Sequence, residues 1–384
     1  MWACVGLLSL TGQALAASGS PDYRFKSKIS RQVLEHYLAR SITMAELYRS
    51  PGNLDDDLRM LRSTGAKFIG RAIYLWGGEA RIVESDFLAQ GRELTRRIHR
   101  ADTDVVVQAA AFEIVTEAVA KVPVPAWVFR EFGLAPEKRN FSYQKMLFPD
   151  GKMVNHWRQG QSVPDICQME TKMWFVFLVG TYLDIGVEAI HLGQLDLMGR
   201  NDPQYRNWAE LMQHVRRYAA KKARRKFVIF DAHVPKAGPV VDGRLLLDFH
   251  SFPLRPKEVA ETPQKAVLAG GYTDGGTRAP GQSSQSPRPS IFTWGFDEIT
   301  WFARQPESYR NEWLSYAWKW LKEHDPNGFL QMPGSRMLTN GPPVAGEGGG
   351  SQRWYFANTK SAACPQGFGQ EETIKAIWAE DVRR

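Results

Sequence analysis

The sequence predicts an α/β fold in which parallel strands close into a (β/α)8 TIM-like barrel, with an open doubly wound sheet as the alternative. Three observations predict it. Short, nearly continuous apolar runs alternate with longer segments of helical spacing, as happens when strands are covered on both faces. The alternation recurs along the chain until the strand count approaches the eight of such barrels. Several of the apolar runs end in titratable side chains, and parallel α/β folds carry their sites at the carboxyl ends of strands.

Taken in order, residues 31–38 read as a helix. A second begins near Asn53, where Asp55, Asp56 and Asp57 favour the positive helix end, and it stops at Gly65. A short strand is expected near 42–44 and further strands at 67–74 and 104–112, with a helix over 87–100 between the last two. The pattern resumes with a helix at 169–183, a strand at 187–191, a helix at 205–222 and strands at 227–231, 245–248 and 291–294. A helix at 309–321 and a strand at 328–332 complete it. The insertion 122–164 carries Trp127, Phe129, Phe132, Tyr143, Phe148, His156 and Trp157. That is too aromatic for a linker, and the segment is expected to lie as an ordered excursion over the barrel mouth. Residues 269–290 and 341–351 are rich in Gly, Ser and Pro and are expected to be flexible loops.

Composition narrows the class. The chain has 384 residues, of which 43% are hydrophobic, enough for a large core and against intrinsic disorder. Its net charge is +8, with the densest basic run at Arg216, Arg217, Lys221, Lys222, Arg224, Arg225 and Lys226. Late in an amphipathic helix such a run reads as a solvated face. No recurring basic surface pattern of a nucleic-acid module accompanies it, so no nucleic-acid partner is expected. Residues 1–17 form a short apolar stretch ending in small residues, expected to be a signal peptide cut near Ala16 or Ala17. Residues 18–384 would then be a single secreted or periplasmic barrel domain with no membrane span. It would keep Cys167 and Cys364, which are able to form one disulfide, although spacing alone does not decide it.

The strand ends carry the chemistry. They read Phe112-Glu113, Ile190-His191-Leu192-Gly193-Gln194, Phe230-Asp231-Ala232-His233, Leu247-Asp248-Phe249-His250 and Trp294-Gly295-Phe296-Asp297-Glu298. Alternate residues of a strand share a face, so Asp231 goes with His233 and Asp248 with His250. Burying so many ionisable groups costs several kcal/mol each unless they pair or bind something. Glu113, Asp231, Asp248 and Asp297 offer the paired carboxyls of glycoside hydrolysis. Trp76, Trp157, Trp294 and Trp301 are candidates to stack on sugar faces.

With Phe230-Asp231, Asp248 and Asp297 at such positions, the region from about residue 40 to 360 resembles secreted TIM-barrel glycoside hydrolases at superfamily level. The resemblance implies a poly- or oligosaccharide substrate and no resident cofactor. On this reading Asp231 is the nucleophile or base, and Glu113 or Asp297 the general acid. His191, Gln194, His233, Asp248, His250, Trp76, Trp157, Trp294 and Glu298 would bind and position substrate. No Asn-Glu pair ends a middle strand, so acid and nucleophile stay interchangeable. Two other readings stand beside it. One is a metal-dependent hydrolase with a divalent ion at His191, Asp231, His233, Asp248 and His250. The other is a non-catalytic glycan-binding barrel. The chain has no G-x-S-x-G elbow, no H-E-x-x-H and no P-loop.

Overall fold

The computed structural model describes residues 21–84, 86–233, 239–259, 262–271, 277–278, 289–325, 328–338 and 354–381. The leader read in residues 1–17, all of 341–351 and most of 269–290 lie outside the described residues.

The strands of the main ladder are β1 (Ser41–Met44), β2 (Phe68–Tyr74), β3 (Val106–Ala110), β4 (Ala189–Gln194), β5 (Ile229–His233), β6 (Phe249–Val259) and β7 (Ser290–Thr293). β8 is two runs, Gly328–Leu330 and Met332–Met337, joined by Gln331. Each strand pairs in parallel with the next, from β1 through to β7. The first run of β8 pairs with β7 and the second with β1. An open doubly wound sheet would have two edges here; β8 joins them, and the ladder returns to its start.

Helices follow most strands, and the local sequence explains their ends. α1 (Arg31–Leu38) precedes β1 and is capped by Ser30, whose side chain accepts from the Val33 amide. α2 (Leu54–Thr64) follows β1. The Asn53 side chain accepts from the amides of Asp55 and Asp56, and Gly65 at φ +77° closes the helix. α3 (Phe87–Ala101), α4 (Met169–Asp184) and α5 (Arg206–Lys222) follow β2, β3 and β4. α6 (Phe296–Ala303) and α7 (Glu307–His324) lie between β7 and β8, and α8 (Glu371–Asp381) ends the described chain.

Among the described residues no helix follows β5 or β6. A small hairpin of Val240–Val241 with Arg244–Leu245 follows β5, and the antiparallel strand Thr262–Gly271 follows β6. The strand expected at 245–248 is therefore not one. Leu247 is buried in the core, but the apolar run is a lead-in to β6. Burial, which hydrophobicity reports, does not require a ladder.

The barrel interior changes character along its axis. Val33, Leu34, Tyr37 and Leu38 of α1 pack with Phe68, Val106, Ala189, Ile229 and Phe249, which begin their strands, and with Ile291, the second residue of β7. This apolar layer plugs the amino end. Two residues further along, the same inward face carries Gln108, His191, Asp231, Ser251 and Thr293. All five are buried.

The excursion 122–164 is ordered. Gln161–Ser162 forms a short antiparallel ladder with Val115–Thr116. Phe129, Phe141, Tyr143 and Phe148 belong to the core, so most of its rings serve packing. The basic run is a solvated face in part, with Arg217, Lys221, Lys222 and Arg224 exposed and Arg225 buried, but its arginines are paired. Arg216 pairs with Asp248 at 3.2 Å, Arg217 with Glu131 at 3.1 Å, and Arg224 and Arg225 with the buried Glu188 at 3.0 and 2.8 Å. These side chains fasten α5 and the turn after it to the barrel. Cys167 and Cys364 are free thiols rather than a disulfide. Among the described residues no helix is long and apolar enough to cross a membrane.

Candidate active site

Three adjacent strands build the centre of the site. Gln108 of β3, His191 of β4 and Asp231 of β5 all face the interior. Gln108 Nε2 donates to Asp231 Oδ1 at 2.6 Å, and His191 Nδ1 lies 2.7 Å from Asp231 Oδ2. Asp231 and His191 are each only 2% exposed, so their mutual attraction is little screened. Ser251 Oγ of β6 sits 3.4 Å from His191 Nδ1. A proton on Nδ1 shared with the carboxylate leaves a lone pair on Nε2. That Nε2 is buried and has no hydrogen-bond partner among the described residues. The His233 ring lies 4.7 Å from the His191 ring, centroid to centroid.

A bulged β2 brings a cation to this centre. The β2–β3 register shifts between Ile69 and Ile73, and Arg71 takes a left-handed φ of +54° in mid-strand. A non-glycine residue there is strained, and such strain clusters at functional sites. The Arg71 amide donates to Gln108 Oε1 at 3.1 Å, so the same amide side chain links Arg71 to Asp231. Arg71 Nη2 donates to the Trp294 carbonyl at 2.5 Å. Burial, and then the neighbouring Arg336 guanidinium, pull the Arg71 pKa down to about 9, against the opposing pull of Tyr74, Asp231 and Glu298. Burial also raises Tyr74 to about 12.

Glu113 and an aromatic platform form the rim. The Glu113 carboxylate accepts from the Gln194 backbone amide at 2.9 Å and from Gln194 Nε2 at 3.0 Å. A Cβ at Gly193, whose φ is +61°, would lie 1.9 Å from Glu113 Oε2, so this approach requires glycine. Trp157 of the excursion donates from Nε1 to the Glu113 carbonyl at 3.0 Å. Its ring lies 5.0 Å from that of Trp76, which is 43% exposed. Trp76 continues inward to Phe112, Phe112 to Tyr74, and Phe112 also to His191, at centroid distances of 5.3, 5.1 and 5.7 Å.

Of the residues expected at the site, His191, Asp231, His233, Gln194, Glu113, Trp76 and Trp157 are thus gathered. Others lie elsewhere. Asp248 precedes β6 instead of ending a strand; it accepts from the Phe230 amide at 2.8 Å and pairs with Arg216. His250 alternates with the inward Ser251 and faces the other way, with Phe252. Trp294 is fully buried, packed on Phe302 and Trp313 with Nε1 donating to the Gln331 carbonyl, so it is no sugar platform. Asp297 is exposed on the first turn of α6, whereas its neighbour Glu298 is buried and acts on Arg71. The metal set is split in the same way: His191, Asp231 and His233 are neighbours, Asp248 and His250 are not. Among the described residues no group of three or more His, Cys, Asp or Glu is placed to hold a metal ion.

Sequence reasoning missed Gln108 and Arg71. Both interrupt apolar strand runs, Val-Val-Gln-Ala-Ala and Phe-Ile-Gly-Arg-Ala-Ile. A polar side chain in a strand buried on both faces needs a partner, and that was the available signal.

No family model and no curated protein matches the chain. Among solved structures it is similar to a GH27 β-L-arabinopyranosidase from Geobacillus stearothermophilus, with 11% identity over 91% of this chain and 77% of that one and a TM-score of 0.37. It is also similar to an α-galactosidase from Thermus thermophilus, with 16% identity, 57% and 44% coverage and a TM-score of 0.35. A debranching enzyme from Nostoc punctiforme matches with 10% identity, 56% and 52% coverage and a TM-score of 0.34. The chain spans about half the length of the last two. With TM-scores below 0.4 and identities of at most 16%, this likeness carries no family, activity or residue role across to this chain.

Proposed function

We propose that the protein is an exported glycoside hydrolase acting on a poly- or oligosaccharide. The observation that carries the reading is the buried cluster of Asp231, His191 and Gln108, built from three neighbouring strands inside the barrel. A carboxylate so held on β5, with Glu113 just after β3 and Glu298 on the first turn of α6 after β7, supports a pair of acidic groups of the kind glycosidic cleavage uses on the two sides of a sugar ring. Asp231 is the nucleophile or base. Glu113 is the first candidate for the general acid. Glu298 takes the place of the exposed Asp297 as the second.

The exposed ring of Trp76 beside Trp157 supports a carbohydrate substrate, since flat apolar rings pair with the C–H faces of sugars while the polar rim meets hydroxyls. The excursion that carries Trp157 would cover part of the mouth and help exclude water. Release of reducing ends from a panel of plant, fungal and bacterial polysaccharides tests the reading. Activity is expected on at least one polymer and is lost in Asp231→Asn. Binding of a polymer by the wild type without any cleavage would instead make the barrel a glycan-binding module.

A further inference from the structure

The excursion holds a second depression, separate from the Asp231 cluster, with a volume of about 540 Å³. That is the size of a small-molecule site, roughly 300–1,000 Å³. Four of its lining side chains are neutral amides: Gln144, Asn155, Gln159 and Gln168. Glu117 is the only charged residue in the lining. An amide presents both a donor and an acceptor, which is the complement of a hydroxyl that does both. The rings of Tyr143 and Phe148, both buried, lie behind these amides and supply apolar wall.

The wall is built under strain. Met153 and Asn155, two positions apart, have φ of +61° and +57°. Non-glycine residues in that region are held there by their surroundings. Here the Asn155 amide donates to Ser162 Oγ at 2.8 Å, Ser162 Oγ meets the Tyr143 hydroxyl at 2.6 Å, and Asn155 Oδ1 accepts from the Gly160 amide at 2.7 Å. Ser162 belongs to the ladder with Val115–Thr116, which begins two residues after Glu113. Trp157, on the same turn, is the residue that donates to the Glu113 carbonyl. The turn therefore has one side on the catalytic rim and the other on the depression.

We infer that this depression is a subsite for a neutral, hydroxyl-rich stretch of glycan chain, reached by a substrate that passes from Trp76 and Trp157 across the 155–160 turn. The inference rests on the hydrolase reading and deepens it: the substrate is an uncharged oligomer, held well beyond the bond that is cut.

The test uses the full chain carrying Asp231→Asn, so that nothing is cleaved, and neutral tri- and hexasaccharides of the best polymer titrated by calorimetry. Adding Gln144→Ala and Gln159→Ala removes two exposed hydrogen-bonding groups, so hexasaccharide affinity is expected to fall about thirtyfold. Trisaccharide affinity is expected to stay unchanged. Trp76→Ala should weaken both. Unchanged hexasaccharide affinity in the double glutamine variant, with Trp76→Ala still effective, overturns the subsite and leaves the hydrolase reading standing. Failure of every saccharide to bind overturns both. Tighter binding of acidic than of neutral hexasaccharides overturns the neutral lining as a determinant. Both glutamines are exposed, and circular dichroism of the variant is expected to match that of its parent.

Discussion

Asp231 Oδ2 and His191 Nδ1 lie 2.7 Å apart at the centre of the barrel, and Gln108 Nε2 holds the other carboxylate oxygen at 2.6 Å. Each oxygen thus has its own donor, on a separate strand. The pair is a structural element as well as a chemical one, and the two roles separate by mutation. His191→Ala leaves a buried carboxylate without its main partner and should cost roughly 3–5 kcal/mol in urea unfolding. Asp231→Asn removes the charge but keeps an acceptor for the imidazole, and should cost about 1–3 kcal/mol. Equal costs would mean that the pair is not the unit described.

Arg71 tests the link between backbone strain and function. Its amide reaches Asp231 through Gln108, and its φ is +54°. Arg71→Ala loses the guanidinium and keeps the strained backbone. Arg71→Gly loses the guanidinium and removes the strain. The glycine variant should be more stable than the alanine variant by about 1 kcal/mol, partly offset by glycine's larger chain entropy. Both should lose most of their turnover. Thermal unfolding with parallel activity assays checks this; an active glycine variant would assign the bulge, and not the cation, the functional role.

Trp76 is largely a surface ring. Trp76→Ala should leave the unfolding midpoint nearly unchanged and raise KM for a soluble oligosaccharide about tenfold, with a smaller effect on kcat. A fall in kcat at constant KM would place the ring in the chemistry and not in binding.

Asp57, on the first turn of α2, is buried beside Asn358 and the Asp56–Arg59–Glu371 network. Burial raises its pKa to about 7 from 3.8; Asp56 adds to the rise, while Asn358 and Arg59 oppose it. An acid whose folded pKa is raised keeps its proton in the folded state after the unfolded chain has released it. Its contribution therefore becomes less favourable as pH rises from 3.8 to about 7 and is constant above that. Asp57→Asn removes this titration. The variant should gain stability relative to wild type across that window, by an amount on the order of a few kcal/mol. Urea unfolding at about pH 5 and pH 8 reads the difference; no change between the two pH values would contradict the buried, protonated Asp57.

The periodicity of apolar residues placed β2, β3 and β4 and the helices α1, α3, α4 and α5 well, because burial on both faces of a strand, or on one face of a helix, writes itself into residue spacing. It misjudged 245–248, since a buried lead-in and a buried strand look alike in composition. It also misjudged Asp248 and Trp294. Whether a strand-end side chain points into the barrel or toward a helix depends on where the strand begins, and a shift of one residue reverses the answer. Asp231 and His191 were legible because each ends an apolar run. Arg71 was not, because its inward approach depends on a bulge that no spacing announces.

The most direct measurement is the turnover of Asp231→Asn against wild type on the best polysaccharide, with unfolding followed on the same samples. The account predicts a folded variant whose hydrolysis falls by at least about three orders of magnitude, as when a covalent or general-base group is removed. A folded variant that hydrolyses the polymer at the wild-type rate would contradict it.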